Sequence, residues 1–266
     1  MEKVTPLKRF GQNYLKDPNI LKKIVNEINP AENDLVVEIG PGTGSLTSKL
    51  AESKAQVYGI EIDKRVKDDL YERFPSVKFY NEDFMQTDLN KISDKGCRKL
   101  RIAGNIPYNL TSPIIFKLLD NNDIINDAVF MVQYEVAKRI SANPGSKDYG
   151  ILSVLLHYFA DVKFCFKVSP NVFYPKPGVY SAVIHIYMKN LLINDELKKI
   201  FINVVKASFG KRRKTLKNSL RDSIFNAIDF SASGVDMTLR AEQLKLNDFE
   251  KLAKYVLDHS LHKSGR

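Results

Sequence analysis

Asn105-Ile106-Pro107-Tyr108 brings a side-chain amide, a stiffened turn and an aromatic ring together. The amide oxygen of Asn105 accepts hydrogen bonds, Pro107 restricts the turn, and Tyr108 offers a flat face to a base. Such a set suits a planar substrate bearing an NH2 group. Upstream, glycines alternate in Glu38-Ile39-Gly40-Pro41-Gly42-Thr43-Gly44. Their backbone can approach a ligand where side chains would collide. Glu61 and Asp83 close two further apolar runs. An acid in the place of Glu61 reaches ribose hydroxyls. Asp83 can accept from an adenine amine, and it stands nearer its strand than Asp88, the other acid available. Phe173, in Phe173-Tyr174-Pro175-Lys176-Pro177, lies in a proline-stiffened loop that can hold a ring over a base. The alternative for Phe173 is an apolar loop anchor.

These groups need strands that end at one level. Leu35 to Ile39 is apolar except for Glu38 and short enough for a buried strand. A helix starts at Ser45, with Leu46, Leu50 and Ala51 facing a sheet. Further strands are expected at Gln56 to Ile62, Val77 to Tyr80, Lys99 to Ala103, Ala128 to Gln133, Val162 to Val168 and Ala182 to Met188. Helices are expected from Asp17-Pro18 to Asn29-Pro30, around Lys64 to Arg73, from Ser112-Pro113, and from Glu135 to Ser141. Ile151 to Phe159 is apolar throughout and reads as strand or helix. Alternating strands and helices imply an α/β fold with a mostly parallel sheet and a ligand crevice at the strand ends.

A nicotinamide turn wants G-x-G-x-x-G. Here the spacing is G-x-G-x-G with Ser45 following. That pattern fits S-adenosylmethionine better, since this ligand has no pyrophosphate to seat on a helix N-terminus. Its sulfonium and ammonium suit a carboxylate such as Glu38 near the turn.

The chain has 266 residues, 44% of them hydrophobic, and a net charge of +10. Such a charge points to an anionic partner, nucleic acid ahead of membrane. No apolar run approaches the ~20 residues of a membrane span. Cys97 and Cys165 lie far apart in a pattern that suits free thiols in a reducing cytosol. His259 and His262 sit in a polar tail that does not suggest zinc. Near Lys189 the composition changes, which divides the chain into a ligand-binding domain, 1–189, and a helical domain, 190–266. Everything in the second is expected to be helical. Lys211, Arg212, Arg213 and Lys214 form a basic knuckle there, suited to phosphates.

Together these motifs resemble the small-subunit ribosomal RNA adenine dimethyltransferases of the KsgA/RsmA type. Phe10-Gly11-Gln12-Asn13-Tyr14-Leu15, the glycine turn, Asn105 to Tyr108, Phe173 to Pro177, Lys211 to Leu216 and Arg240-Ala241-Glu242-Gln243-Leu244 carry the resemblance, which spans nearly the whole chain. It implies a class I S-adenosylmethionine-dependent methyltransferase, Rossmann-like with seven strands, and a small C-terminal helical domain. The implied reaction moves four methyl groups onto N6 of two adjacent adenines near the 3′ end of small-subunit rRNA, late in subunit assembly. The implied setting is cytoplasmic, with a precursor of the small subunit as partner, no metal, no membrane and no obligate dimer. Asn13, Leu15, Gly40, Glu61, Asp83 and Asn105 match the cofactor-contacting positions, Asn105 to Tyr108 the catalytic turn, and Phe173 the second aromatic. Tyr134 stands where a basic residue is usual, and Gly178 where a lysine is frequent. A relative that methylates one large-subunit adenine and a non-catalytic assembly factor are the competing readings.

Overall fold

The computed structural model describes residues 6–7, 11–93, 98–211 and 213–261. Phe10, Cys97, Arg212 and His262 lie outside the described residues. In chain order the elements are β1 (Tyr14–Leu15), α1 (Pro18–Ile28), β2 (Leu35–Ile39), α2 (Ser45–Leu50), β3 (Gln56–Ile60), α3 (Lys67–Arg73) and β4 (Lys78–Tyr80). Then follow β5 (Leu100–Asn105), α4 (Thr111–Asp120), β6 (Ile125–Gln133), α5 (Tyr134–Ile140), α6 (Ile151–Phe159), β7 (Ala160–Val168), β8 (Phe173–Tyr174) and β9 (Ser181–Met188). Three helices complete the chain: α7 (Asp195–Phe209), α8 (Leu216–Arg221) and α9 (Leu246–Leu261).

Seven strands form one sheet in the order β4-β3-β2-β5-β6-β9-β7. The pairs β3–β4, β2–β3, β2–β5 and β5–β6 are parallel, and β6–β9 is antiparallel. Chain order reverses between β2 and β5, which opens a crevice past their C-terminal ends. Register then sets the level of the site. Ile39 lies opposite Ile60 on one side and Gly104 on the other. The next residues, Gly40, Glu61 and Asn105, therefore emerge side by side.

Local chemistry explains the helix that leads into this sheet. Asp17 caps α1 by accepting from the N–H groups of Asn19 and Ile20, Pro18 fills the first position, and Asn29 ends it in the left-handed region at φ 46°. Its buried stripe, Leu21, Ile24 and Ile28, joins Val36, Val129 and Val183 of the sheet in one core cluster.

At the far end of the strands lies a buried charge network. His185 has one ring nitrogen 2.8 Å from Glu27 and the other 2.8 Å from Asp127. Arg101 binds Asp127 through two nitrogens and Asp34 through a third. Burial alone would raise the Asp127 carboxyl, but hydrogen bonds from His185 and Arg101 reverse this and hold it below its ordinary value. The same competition, with Lys163 and His185 as partners, lowers Glu27. Carboxyls depressed in the folded state stabilise it above their unfolded pKa, and that contribution disappears as pH falls through the folded value. Asp127→Asn should therefore cost about 3 kcal/mol at pH 7, where one buried partner is removed. The gap between variant and parent should narrow as pH falls below the ordinary aspartate range. Urea midpoints across that range measure it, and a gap independent of pH would contradict it.

The helical unit also takes in a segment that precedes residue 190. Contacts divide the chain into Met1–Ala137 with Asp161–Lys189, and Lys138–Ala160 with Asn190–Arg266. Residues 138–160, expected in the first domain, thus pack with the helices. The cause is aromatic burial. Tyr158 stacks on Phe201 at 4.0 Å, and Tyr149 meets Phe209 edge-on at 6.1 Å. The ambiguous segment is helix α6, with Val154, Leu155, Leu156 and Phe159 all buried. A segment apolar on every side carries no periodicity to read.

The expectation that everything after 190 is helical is also corrected. Residues 222–240 run as successive turns between α8 and α9. Short polar side chains take the backbone donors that a helix would use. Ser223 accepts from Phe225 N–H, Asp229 from Ser231 N–H and Asp236 from Thr238 N–H.

Candidate active site

A cavity of about 260 Å³ lies past the ends of β2, β3, β4 and β5. Gly40, Glu61, Asp83, Asn105, Ile106, Pro107 and Tyr108 all line it, and so does Asn13. Five separated stretches of the sequence therefore meet in one place.

The glycine turn forms its floor. Gly42 has φ +57°, and a Cβ there would lie 2.9 Å from the Tyr14 ring. Glu61 fixes the turn from the neighbouring strand, accepting from Gly42 N–H at 2.7 Å and from Asp63 N–H at 2.8 Å. Burial raises the Glu61 carboxyl, and those two donors oppose the rise. Two of its roughly four acceptor sites are used this way, which leaves capacity for hydroxyl donors. Asp83 has one oxygen on Met85 N–H at 2.9 Å, and its other oxygen has no partner among the described residues. Lys117 braces the same loop by donating to the carbonyls of Met85 and Thr87.

Asn105 is oriented by the N-terminal segment. Its Nδ2 donates to the Asn13 carbonyl at 2.7 Å. A carbonyl only accepts, so the amide cannot be turned round. Its Oδ1 is left without a partner among the described residues. Tyr108 shares a hydrogen bond with the buried Ser181 hydroxyl at 2.8 Å, and burial raises its pKa, so the phenol stays neutral.

The N-terminal segment is held by two ties. Gln12 donates to Asp63 at 3.1 Å and accepts from Leu7 N–H at 2.8 Å. Asp63 also binds Arg65, whose hydrogen bonds pull the Asp63 carboxyl down to about 2. Gln12 thus has both ends of its amide engaged in this tether. The second tie is the two-stranded ladder of β1 and β8, with Tyr14 opposite Tyr174 and Leu15 opposite Phe173.

That ladder corrects two expectations. Phe173 does not form an open aromatic wall. It is 6% exposed and packs in the core cluster with Leu15, Ile24 and Val168. Its effect on the site runs through strand pairing, as the apolar anchor weighed above. Leu15 likewise sends its side chain into that core, and it does not line the main cavity. Glu38 is the third correction. It is buried, accepts from the Thr47 hydroxyl at 2.6 Å, and desolvation pushes it up to about 8. It faces only a recess of about 40 Å³ beside the main cavity. Burial disfavours its charged form, which weakens it as a partner for a sulfonium.

Some lining residues went unread in the sequence. Ile62 and Phe84 follow Glu61 and Asp83 directly and give the cavity apolar surface. Their signal was present: an apolar residue straight after each strand-end acid.

The family model described as Ribosomal RNA adenine dimethylase matches residues 5–258. The chain belongs to the ribosomal RNA adenine dimethylase family. Among curated relatives, the Ribosomal RNA small subunit methyltransferase A of Francisella tularensis subsp. tularensis (strain WY96-3418) is 43% identical over 256 residues, covering 94% of this chain and 97% of the relative. That of Chlorobium phaeobacteroides (strain BS1) is 44% identical over 248 residues, covering 93% and 92%. Among solved structures, a dimethyladenosine transferase from Plasmodium falciparum superposes with a TM-score of 0.73 at 29% identity, covering 90% of this chain and 95% of that one.

Elsewhere in the chain, Lys211, Arg213 and Lys214 of the basic knuckle are exposed. Lys211 is paired with Asp222 at 2.6 Å, an acid that the run itself does not contain. Tyr134, where the resemblance expects a base, has Lys167 Nζ 4.7 Å above its ring, so a cation stands at that surface all the same. Among the described residues, no helix is long and apolar enough to cross a membrane.

Proposed function

We infer that this protein transfers methyl groups from S-adenosylmethionine to N6 of two adjacent adenines near the 3′ end of small-subunit rRNA. Each N6 becomes dimethylated during late subunit assembly in the cytoplasm, and the protein acts as a monomer. The observation that carries this reading is the fixed amide of Asn105. Its donor end is held by Asn13 and its acceptor end is open, level with Gly40 and Glu61.

The donor set fits S-adenosylmethionine. Glu61 has acceptor capacity for ribose hydroxyls, and the open oxygen of Asp83 suits an adenine amine. Ile62 and Phe84 offer apolar surface for a ring. The Tyr14 hydroxyl is a buried polar atom with no partner among the described residues, beside the glycine turn. Asn13, which also lines the cavity, completes the set. S-adenosylmethionine supplies an electrophilic methyl on a sulfonium and leaves as a thioether.

The residues supply the rest. Adenine N6 is a weak nucleophile because its lone pair is delocalised into the ring. Asn105 Oδ1 and the Ile106 carbonyl accept from the N6 hydrogens, which favours a tetrahedral nitrogen and frees the lone pair. Pro107 fixes the turn that presents both acceptors. Tyr108 stacks on the base, worth about 1–3 kcal/mol. The adenine leaves its RNA stack to enter the cavity. The N6 proton leaves to water after transfer, so positioning provides most of the acceleration. Lys211, Arg212, Arg213 and Lys214 contact phosphates.

Labelled S-adenosylmethionine offered to unmethylated small subunits, and separately to protein-free large-subunit rRNA, tests the reading. Mass spectrometry should place dimethyladenosine at the adenine pair of the small subunit. Label on one large-subunit adenine would move the protein to the competing substrate. RNA binding with no label would leave an assembly factor.

A further inference from the structure

Three exposed or half-exposed aromatic side chains gather beside the edge strand β7, around one lysine. Lys167 Nζ lies 3.8 Å from the Tyr180 ring centre and 4.7 Å from that of Tyr134. Tyr134 and Phe164 meet edge-on at 6.1 Å. Phe164 is 42% exposed and Tyr180 49%, so ring surface stays open to water beside the lysine, which lies over one face of Tyr180. Large aromatic surfaces held open to water mark interaction sites.

The patch is joined to the cavity. Tyr134 N–H donates to the Tyr180 carbonyl at 2.9 Å, tying the two tyrosines through the backbone. Ser181, one residue beyond Tyr180, shares its hydroxyl with Tyr108. Consecutive Cα atoms are about 3.8 Å apart, so the patch begins one backbone step from the residue that braces the cavity wall. At the other end of the same loop, Tyr174 is 55% exposed with Lys16 Nζ 4.1 Å from its ring centre, and its strand pairing holds Tyr14. Ring-and-cation pairs therefore stand on both flanks of residues 174–180.

We propose that Tyr134, Phe164 and Tyr180, organised by Lys167, form a stacking platform for the unpaired nucleotide next to the methylated adenine pair. The inference rests on the adenine substrate proposed above. Ring faces take a base of any sequence, and the ammonium takes its phosphate, the combination that single-stranded nucleic acid requires. A purely apolar partner would be served poorly by a cation at the centre of the patch. Flipping one adenine exposes the face of its neighbour, and the platform replaces that lost stack.

The probe is an RNA hairpin copying the 3′ end of small-subunit rRNA, with 2-aminopurine beside the adenine pair. Binding of the parent protein should quench its emission, because stacking on an aromatic ring does so. Tyr180→Ala combined with Phe164→Ala should abolish most of the quenching. The same variant should raise KM for small subunits about 10-fold with kcat unchanged, in the range of one lost stack. Tyr180→Phe, which keeps the ring, should behave as the parent. Unchanged quenching and KM in the double alanine variant would overturn the platform. Absence of methyl transfer by the parent would overturn the substrate instead, and the quenching experiment decides the platform in either case.

Discussion

Asn105→Ala should lower kcat for methyl transfer about 1,000-fold, the upper range for removing one group that acts on the reacting centre. The side chain has two separable duties. Its Oδ1 faces the cavity as an acceptor, and its Nδ2 ties the N-terminal segment through the Asn13 carbonyl at 2.7 Å. Alanine removes both. Aspartate keeps an acceptor towards the cavity but sets a second oxygen against the Asn13 carbonyl, where no proton is available between them. Asn105→Asp should therefore loosen the segment that carries Asn13 and Tyr14 and weaken S-adenosylmethionine binding more than Asn105→Ala does. Single-turnover rates with prebound RNA, alongside equilibrium binding of the donor, separate the two duties. A kcat within 10-fold of the parent in Asn105→Ala would remove this residue from the chemistry.

The largest stability effect is expected at the glycine turn. Gly44 has φ +76°, and a Cβ there would lie 2.5 Å from Cε2 of Phe74 and 3.1 Å from Cδ2 of Leu70. Left-handed backbone costs a non-glycine residue about 1–2 kcal/mol. Crowding a packed core adds about 1–3 kcal/mol. Gly44→Ala should thus lose about 2–5 kcal/mol, a fall on the order of 10 °C in the thermal midpoint of the sheet unit. Gly40→Ala is the internal comparison. It shares the positive φ, at +64°, but a Cβ there meets nothing within 4 Å. It should lose only the backbone contribution, and equal midpoints for the two variants would contradict the crowding argument.

Much of this molecule was legible before any coordinates. α1 was bounded by its own caps, Asp17 and Asn29, because capping is settled within one turn of chain. Strands β2, β3 and β5 announced themselves as short apolar runs, and the strand-end residues Gly40, Glu61, Asp83 and Asn105 line one cavity. Parallel strands of similar length, wound in order, have no other place to put their C-terminal residues. The sequence alone therefore determined the sheet and the principal residues of the cavity, through signals no longer than one strand or one helical turn.

What the tertiary structure decided was charge state, burial and allegiance. Glu38 stands in the glycine motif, yet only packing shows that it is desolvated and its carboxyl pushed up. Phe173 stands in an aromatic loop, yet its pairing with Leu15 turns it into the core. Residues 138–160 precede the expected boundary, yet Phe201 and Phe209 draw them to the helices. The open acceptor of Asn105 exists because the Asn13 carbonyl, far away in the chain, takes the amide nitrogen. Each of these depends on a neighbour distant in sequence, and desolvation and pairing are set by such neighbours, which no local pattern of residues records.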